Sequence, residues 1–349
     1  MYLRSSLRTQ RRDANHIQEL EQHLRRDVDD WRGTVQLCYA LGKEFEDIGE
    51  YKRAFTQYAR GAGLRRRNLR YDVGDDLRIF PALEAAFDTK SLSERRAVDG
   101  GCDSRQPVFI VGLPRSGSTL VERIASAHPQ VRSVGESDEI ARKLLTLITR
   151  SHGNQLPHRL ALPRASLAVN SSELGRAYVD ATGRGLPPSV RVIDKMPSNS
   201  LYLGVIHLAL PHAKIVHVRR HPMDACFAMY KFLFRDGYPF SYDLNELADY
   251  YASHARLMQH WRRMLPPGSI HEVSYEELVS DPEVTARRLI LHLELEWDPE
   301  CLDFHRQQGA SMTGSATQVR QPIYQSSVAA WRRRSRPTTP ARRPPSSRC

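Results

Sequence analysis

The stretch Val108-Phe-Ile-Val-Gly112-Leu-Pro-Arg115-Ser116-Gly117-Ser118-Thr119 joins an apolar run to a glycine-rich turn and a pair of hydroxyl residues. Two glycines separated by four residues have the spacing of the P-loop, in which a strand leads through a phosphate-binding loop into a helix. The P-loop lysine is absent, because Ser118 stands at its position. The stretch therefore predicts a strand, an anion-binding loop and a helix within an α/β fold.

Arg115 supplies the cation of this loop in place of the lysine. Its guanidinium can hold an oxyanion through two hydrogen bonds, and the loop amides and the N-terminus of the helix after Thr119 add further donors. A loop without the lysine is poorly equipped to cleave a nucleoside triphosphate. An ordinary strand-to-helix turn is the alternative when the motif is taken alone. The candidate anion-binding residues are Arg115, Ser116, Gly117, Ser118 and Thr119.

The composition is that of a globular protein, with 349 residues, 40% hydrophobic and 26% charged. No apolar run approaches the roughly 20 residues that span a bilayer. Residues 1–12 lack the apolar centre of a secretory signal, so we expect a cytoplasmic protein. The five cysteines form no C-x-x-C pair, which indicates neither a disulfide framework nor a zinc site.

The net charge of +11 is concentrated at the end of the chain. Arg332–Cys349 contains seven arginines and no acidic residue, so the remainder carries only +4. That mild surplus favours an enzyme with an anionic co-substrate over a nucleic-acid-binding protein. Because it is rich in proline and poor in large apolar residues, segment 334–349 is predicted to be a disordered basic tail.

Residues 1–100 have the pattern of a helical, tetratricopeptide-like (TPR-like) domain. One copy of the repeat spacing is clear, with small residues where paired helices touch and aromatic residues that fill gaps. It comprises Leu41, Gly42, Phe45, Gly49, Ala54, Tyr58 and Gly61. Since single repeats need neighbours, we expect flanking helices at Ile17–Leu24 and Leu77–Phe87. Two interpretations of these helices stay open: they form a groove that binds a protein partner, or they only pack against the next domain.

After a linker at 100–107, short apolar runs alternate with helical patterns, which predicts a central parallel sheet. The predicted strands are Val108–Val111, Val190–Ile193, Lys214–Val218 and Ser269–Val273.

Polar residues follow the later strands directly. Lys195 follows the second of these strands, Arg219 and Arg220 follow the third, and Tyr275 follows the fourth. Each could be a surface residue, but strand ends in such sheets gather ligand-binding residues. Two separated anion sites, one at the loop and one at the arginine pair, predict a nucleoside ligand with phosphates at both ends.

Several motifs in one order resemble the sulfotransferase family. They are Gly112–Glu122, Val134–Ser137, Asp194–Pro197, Val218–Asp224, Tyr275–Pro282 and Ser315–Pro322. Together with the helices before it, the chain is similar to bacterial TPR sulfotransferases, whose catalytic half resembles protein-tyrosine sulfotransferases. The resemblance implies a P-loop-like three-layer sulfotransferase domain with a central parallel sheet over about residues 105–333.

The resemblance also implies ligand contacts. Residues 115–119 would hold the 5′-phosphosulfate of 3′-phosphoadenosine 5′-phosphosulfate (PAPS), with Ser315 nearby. Arg220 would hold the 3′-phosphate with help from Arg219, and Tyr275 would lie near the nucleotide. Ala228 departs from the family, which usually has a serine against the 3′-phosphate there.

For the reaction, the resemblance makes Glu136 the base and Lys195 the cation at the departing oxygen, without a metal. The implied activity is transfer of a sulfuryl group from PAPS to a hydroxyl of a protein tyrosine, a carbohydrate or a small molecule. A degenerate transferase that acts as a TPR-type interaction protein is one alternative. A nucleotide-dependent kinase is another, which the missing lysine disfavours.

Overall fold

The computed structural model describes residues 2–26, 30–304, 328–329 and 331–332. Ser315 and the tail at 334–349 lie outside the described residues. The chain divides into two compact units between Gly61 and Ala62, within one helix. None of the described helices is both long enough and apolar enough to cross a membrane.

The first unit is helical. Its helices are α1 (Tyr2–Ser6), α2 (Ile17–Arg26), α3 (Trp31–Asp47) and the first part of α4 (Tyr51–Arg67). A Cβ at Gly42 would lie 2.6 Å from the Tyr58 ring, and one at Gly61 would lie 2.9 Å from the Cβ of Cys38. The two glycines therefore allow α3 and α4 to pack closely, as the repeat spacing predicts. The TPR assignment itself stays a prediction.

The second unit begins within α4 and continues through three helices, α5 (Val73–Leu77), α6 (Ile79–Ala86) and α7 (Thr89–Val98). The sequence pattern places the end of the helical domain near residue 100, whereas the compact units divide at Gly61. Within the second unit, α6 and α7 contribute Phe80 and Leu92 to the core, and the domain boundary near residue 100 stays a prediction. Phe87, just after α6, packs edge-on against Trp261, with ring centroids 5.7 Å apart.

Within the described residues, the sheet of the second unit has five parallel strands in the order β2-β3-β1-β4-β5. The strands are β1 (Pro107–Val111), β2 (Val131–Gly135), β3 (Arg191–Asp194), β4 (Lys214–Arg219) and β5 (Ile270–Ser274). The four strands expected from the sequence are confirmed. The sequence pattern misses β2, because this edge strand buries only Val131 and has no apolar run.

Helices cover both faces of the sheet, which confirms the three-layer α/β architecture. They are α8 (Ser118–Ser126), α9 (Glu139–Ser151), α10 (Leu162–Leu167), α11 (Ser171–Thr182), α12 (Leu203–Ala209), α13 (Pro222–Tyr230), α14 (Leu244–Met264), α15 (Tyr275–Ser280) and α16 (Pro282–His292). Alternation along β1 sends Phe109 into the core formed with α11, α12 and α14, and Ile110 into the core formed with α8 and α16. The carboxyl ends of the strands consequently meet at one edge, where the candidate residues lie.

Candidate active site

The loop between β1 and α8 runs from Gly112 to Gly117, and its backbone admits only glycine at both ends. Gly112 has φ +147°, and a Cβ there would lie 2.3 Å from the carbonyl oxygen of Val218. Gly117 has φ +106°, and a Cβ there would lie 2.4 Å from the Tyr275 ring. Arg115 takes the left-handed conformation, at φ 66°. The loop is thus held tightly against the ends of β4 and β5.

The hydroxyl residues of the loop are buried. Ser116 is 2% exposed, and within the described part of the chain its Oγ has no hydrogen-bond partner. Ser118 and Thr119, each 7% exposed, open the first turn of α8, where the helix amides lack intrahelical acceptors. Because an unpaired buried hydroxyl costs free energy, the loop is suited to a bound oxyanion that accepts hydrogen bonds.

Arg220 joins the second motif to this loop. Its Nη1 donates a hydrogen bond to the carbonyl oxygen of Arg115 at 3.1 Å. Its guanidinium also lies 4.6 Å from the centroid of the Tyr275 ring, which itself packs on Gly117. The structure therefore brings together the predicted residues Arg115, Gly117, Arg220 and Tyr275.

Arg219 lies apart from this group, although it is the neighbour of Arg220. Its side chain is 56% exposed, and its Nε lies 3.7 Å from Oε1 of Glu272. The same carboxylate oxygen lies 3.3 Å from Nδ1 of His217 and 2.5 Å from Nη1 of Arg262. The neighbouring His217 and the charge of Arg262 lower the pKa of Glu272 to about 2. Arg219 thus belongs to an ion-pair cluster with β5 and α14.

A cavity of about 200 Å³ is lined by residues of both groups. Ser116 and Arg220 line it from the loop side, while Tyr251 and His254 line it from α14. Burial, followed by the nearby His217, lowers the pKa of His254 to about 3, so this imidazole is neutral. The cavity connects the buried hydroxyl of the loop to the outer cations.

Lys195 and Glu136 meet at the other end of the sheet edge. The Lys195 side chain is 1% exposed, and its ammonium donates a hydrogen bond to Glu136. The Lys195 amide also donates to the carbonyl oxygen of Gly135 at 2.9 Å, which ties β3 to the end of β2. The Glu136 carboxylate is 45% exposed. A fixed buried cation thus stands beside an accessible carboxylate.

Asp194 fixes the end of β3 beneath Lys195. It is fully buried, and it accepts hydrogen bonds at 3.1 Å from the Tyr178 hydroxyl and at 3.1 Å from the Asn199 amide. Burial raises the pKa of Asp194 to about 7, against these donors and the charge of Lys195. The sequence contains the Asp194-Lys195 pair, but the hydrogen bonds that hold Asp194 are seen only in the structure.

A run of aromatic side chains between α13 and α14 borders the site. This aromatic segment consists of Phe232, Phe234, Tyr238 and Phe240, with successive ring centroids 4.8, 4.9 and 6.1 Å apart. At one end, the Arg115 guanidinium lies 4.8 Å from the Phe232 ring. At the other, burial and then the Glu136 carboxylate raise the pKa of Tyr238 to about 12. The segment thus extends from the anion loop towards Glu136.

Comparison with known proteins assigns the family. Residues 107–299, more than half of the chain, match the family model described as "Sulfotransferase family". The chain belongs to the sulfotransferase family. The match includes every described candidate residue, whereas Ser315 lies beyond it and outside the described residues.

The chain is similar to proteins of Aquifex and of Drosophila. It is 30% identical over 308 residues to an uncharacterised protein of Aquifex aeolicus, covering 86% of this chain and 40% of the relative. It is 26% identical over 247 residues to the protein-tyrosine sulfotransferase of Drosophila melanogaster, covering 64% of this chain and 46% of the relative. The chain therefore spans less than half the length of these relatives.

Solved structures show a similar likeness. The sulfotransferase domain of the olefin synthase from Synechococcus PCC 7002 is 22% identical and aligns with a TM-score of 0.48. The alignment covers 66% of this chain and 89% of that domain. In the described part of this chain, His, Cys, Asp and Glu side chains form no group of three that could hold a metal ion.

Proposed function

We propose that this chain transfers a sulfuryl group from PAPS to an acceptor hydroxyl. The observation that carries the proposal is the hydrogen bond between the Arg220 guanidinium and the Arg115 carbonyl oxygen. It brings the arginine of the second motif to the backbone of the anion loop, so that a nucleoside ligand with phosphates at both ends would meet both motifs at one sheet edge.

The residues present fit this donor. The backbone amides and buried hydroxyls of residues 115–119 would hold the 5′-phosphosulfate, and the unsatisfied Oγ of Ser116 supports an oxyanion there. Arg220 would hold the 3′-phosphate, with Tyr275 against the nucleotide and Arg219 at the rim. Ser315 stays a proposed contact from the sequence alone.

Bound PAPS supplies an activated sulfuryl group on a phosphate leaving group. Glu136 would accept the proton of the acceptor hydroxyl, because its carboxylate is exposed to an incoming substrate. Lys195 would donate a hydrogen bond to the leaving oxygen as negative charge develops there. The contact between the two would hold the ammonium group beside the base until the acceptor arrives.

We propose a phenol as the acceptor, with a protein tyrosine as its natural form. Burial raises the pKa of Tyr238 in the aromatic segment, and Tyr238 lies near enough to Glu136 for that carboxylate to raise it further. Contacts between aromatic rings would stabilise a phenol bound there. The relative from Drosophila is a protein-tyrosine sulfotransferase. Carbohydrate and small-molecule hydroxyls stay as alternatives, which an acceptor screen with labelled PAPS separates.

A cytoplasmic location and a protein partner for the TPR-like helices complete the proposal. The proposal of a partner rests on the repeat spacing from Leu41 to Gly61.

Calorimetry with adenosine 3′,5′-bisphosphate, ATP and GTP tests the donor. We expect the bisphosphate to bind and the triphosphates to bind at least about tenfold more weakly, because the loop lacks the lysine that reaches the β- and γ-phosphates. A preference for ATP would favour the kinase alternative. Absence of nucleotide binding would favour the interaction protein.

A further inference from the structure

Lys195 lies between two carboxylates, and only one of them, Glu136, has a role in the proposed reaction. Besides the contact with Glu136, its Nζ lies 3.8 Å from Oε2 of Glu122. The Glu122 side chain is 12% exposed. Its other oxygen, Oε1, accepts a hydrogen bond of 2.7 Å from Ser133. Glu122 is therefore fixed within ion-pair distance of a buried ammonium.

Position along the chain links Glu122 to the anion loop. It belongs to α8, whose first residues, Ser118 and Thr119, open the turn that follows the loop. Lys195 comes from the end of β3, and Ser133 comes from β2. Contacts among Glu122, Ser133 and Lys195 therefore link α8, which follows the anion loop, to β2, which precedes the proposed base Glu136.

The charge balance at rest differs from the balance during transfer. A buried ammonium needs a nearby anion, since desolvation disfavours its charged form. At rest both Glu122 and Glu136 supply that charge. When Glu136 takes the acceptor's proton it becomes neutral. Of the two carboxylates that form ion pairs with Lys195, only Glu122 is then still charged.

We propose that Glu122 is a positioning residue that keeps Lys195 charged and aimed at the leaving oxygen after Glu136 is protonated. This inference rests on the proposed function. In the step, the acceptor oxygen bonds to sulfur, its proton passes to Glu136, and the sulfur–oxygen bond to the phosphate breaks. The electron pair of that bond stays on the phosphate oxygen, which accepts a hydrogen bond from Lys195. Glu122 neither gains nor loses a proton in this step and forms no covalent bond.

The groups that face Lys195 come from each neighbouring element. They are Glu122 on α8, Glu136 after β2 and Asp194 on β3, and Tyr238 faces Glu136 in turn. A test must therefore change Glu122 while the other groups around Lys195 stay the same. Glu136→Gln provides that background, because the amide imitates the protonated carboxyl.

The first measurement is ¹³C NMR of lysine-labelled protein, with the Lys195 signal assigned by its loss in Lys195→Arg. We expect Glu122→Gln, added to Glu136→Gln, to lower the proton affinity of Lys195 at least about tenfold. Glu283→Gln, at an exposed ion pair on α16, is the matched control and should leave the titration unchanged. An unchanged titration in the double variant would overturn the inference, and this result does not depend on turnover.

The second measurement is the pH profile of sulfuryl transfer. Glu122→Gln should lower kcat about 10- to 100-fold, leave the KM for PAPS within about threefold, and move the alkaline limb of kcat to lower pH. Ser133→Ala removes the hydrogen bond to Glu122 but keeps its charge, so its alkaline limb should stay in place. If both variants lose kcat equally and the alkaline limb of the pH profile does not move, Glu122 has only a structural role and the inference is wrong. Lack of bisphosphate binding by the wild type would instead contradict the proposed function.

Discussion

Arg220 donates a hydrogen bond of 3.1 Å to the carbonyl oxygen of Arg115, whose backbone is held at φ 66°. The bond fixes a left-handed residue in the anion loop by means of a side chain from the end of β4. The Arg220 guanidinium is thereby held against the anion loop, where a bound anion would offer it a further hydrogen-bond acceptor. The loop and the second motif should therefore respond to a ligand together.

The adjacent arginines should differ in their effect on nucleotide affinity. Arg220→Ala removes a charge-assisted hydrogen bond, worth about 1.5–3 kcal/mol, so adenosine 3′,5′-bisphosphate should bind roughly 10- to 100-fold more weakly. Arg219→Ala should change the affinity less than about threefold, because this exposed side chain already pairs with Glu272. Calorimetry on both variants measures the difference, and equal losses would contradict the placement.

Ala228→Ser should strengthen binding of the same bisphosphate. The resemblance puts Ala228 at the position where the family has a serine against the 3′-phosphate, and the residue is 8% exposed on α13. One new hydrogen bond of about 0.5–1.5 kcal/mol predicts roughly 2- to 10-fold tighter binding. Adenosine 5′-phosphate is the control ligand, since it lacks the 3′-phosphate. A gain with both nucleotides would place the hydroxyl elsewhere.

The meeting of Arg115 and Arg220 could be predicted because carboxyl ends of parallel strands share one edge. β1 and β4 are also visible in the sequence, since buried parallel strands are continuous apolar runs. The edge strand β2 could not be found in this way, because its only buried residue is Val131.

Side-chain direction and long-range pairs explain what the sequence missed. Arg219 lies two residues after His217 on β4, so strand alternation gives both the same face, towards Glu272. That signal was present in the sequence. The approach of Glu122 to Lys195 had none, since it depends on how α8 packs beside β3.

Gly117→Ala should destabilise the protein and weaken bisphosphate binding. The new Cβ would lie 2.4 Å from the Tyr275 ring at φ +106°, so the loop or the ring must shift. We expect a loss of about 1–3 kcal/mol in the free energy of unfolding, measured by chemical denaturation. Gly185→Ala is the control, because Gly185 has φ +77° but open space around its Cβ. Equal losses would show that the Tyr275 contact contributes nothing.

Glu136→Gln should retain the bisphosphate affinity within about threefold and lower sulfuryl transfer by about 10²- to 10⁴-fold, because the amide cannot accept the acceptor's proton. Calorimetry and a labelled-sulfate assay give the two quantities. Glu283→Gln, at an exposed pair with Arg287, serves as the control for loss of one carboxylate. Full turnover in Glu136→Gln would exclude this residue as the base.

Asp194→Asn should change how the stability of the protein depends on pH. The pKa of the native carboxyl is about 7, whereas an unfolded aspartate titrates near 3.9. Between these values the native state holds a proton that the unfolded state has lost, so this group lowers stability as pH rises from about 4 to 7.

The variant carries no such proton, so its free energy of unfolding relative to wild type should increase across this window, by up to about 4 kcal/mol. Loss of a hydrogen bond from Tyr178 or Asn199 adds a pH-independent offset. Urea denaturation of both proteins at pH 4.5 and pH 7.5 separates the two effects. A difference that is the same at both pH values would show that burial does not raise the pKa of Asp194, and that its two donors and Lys195 keep it ionised.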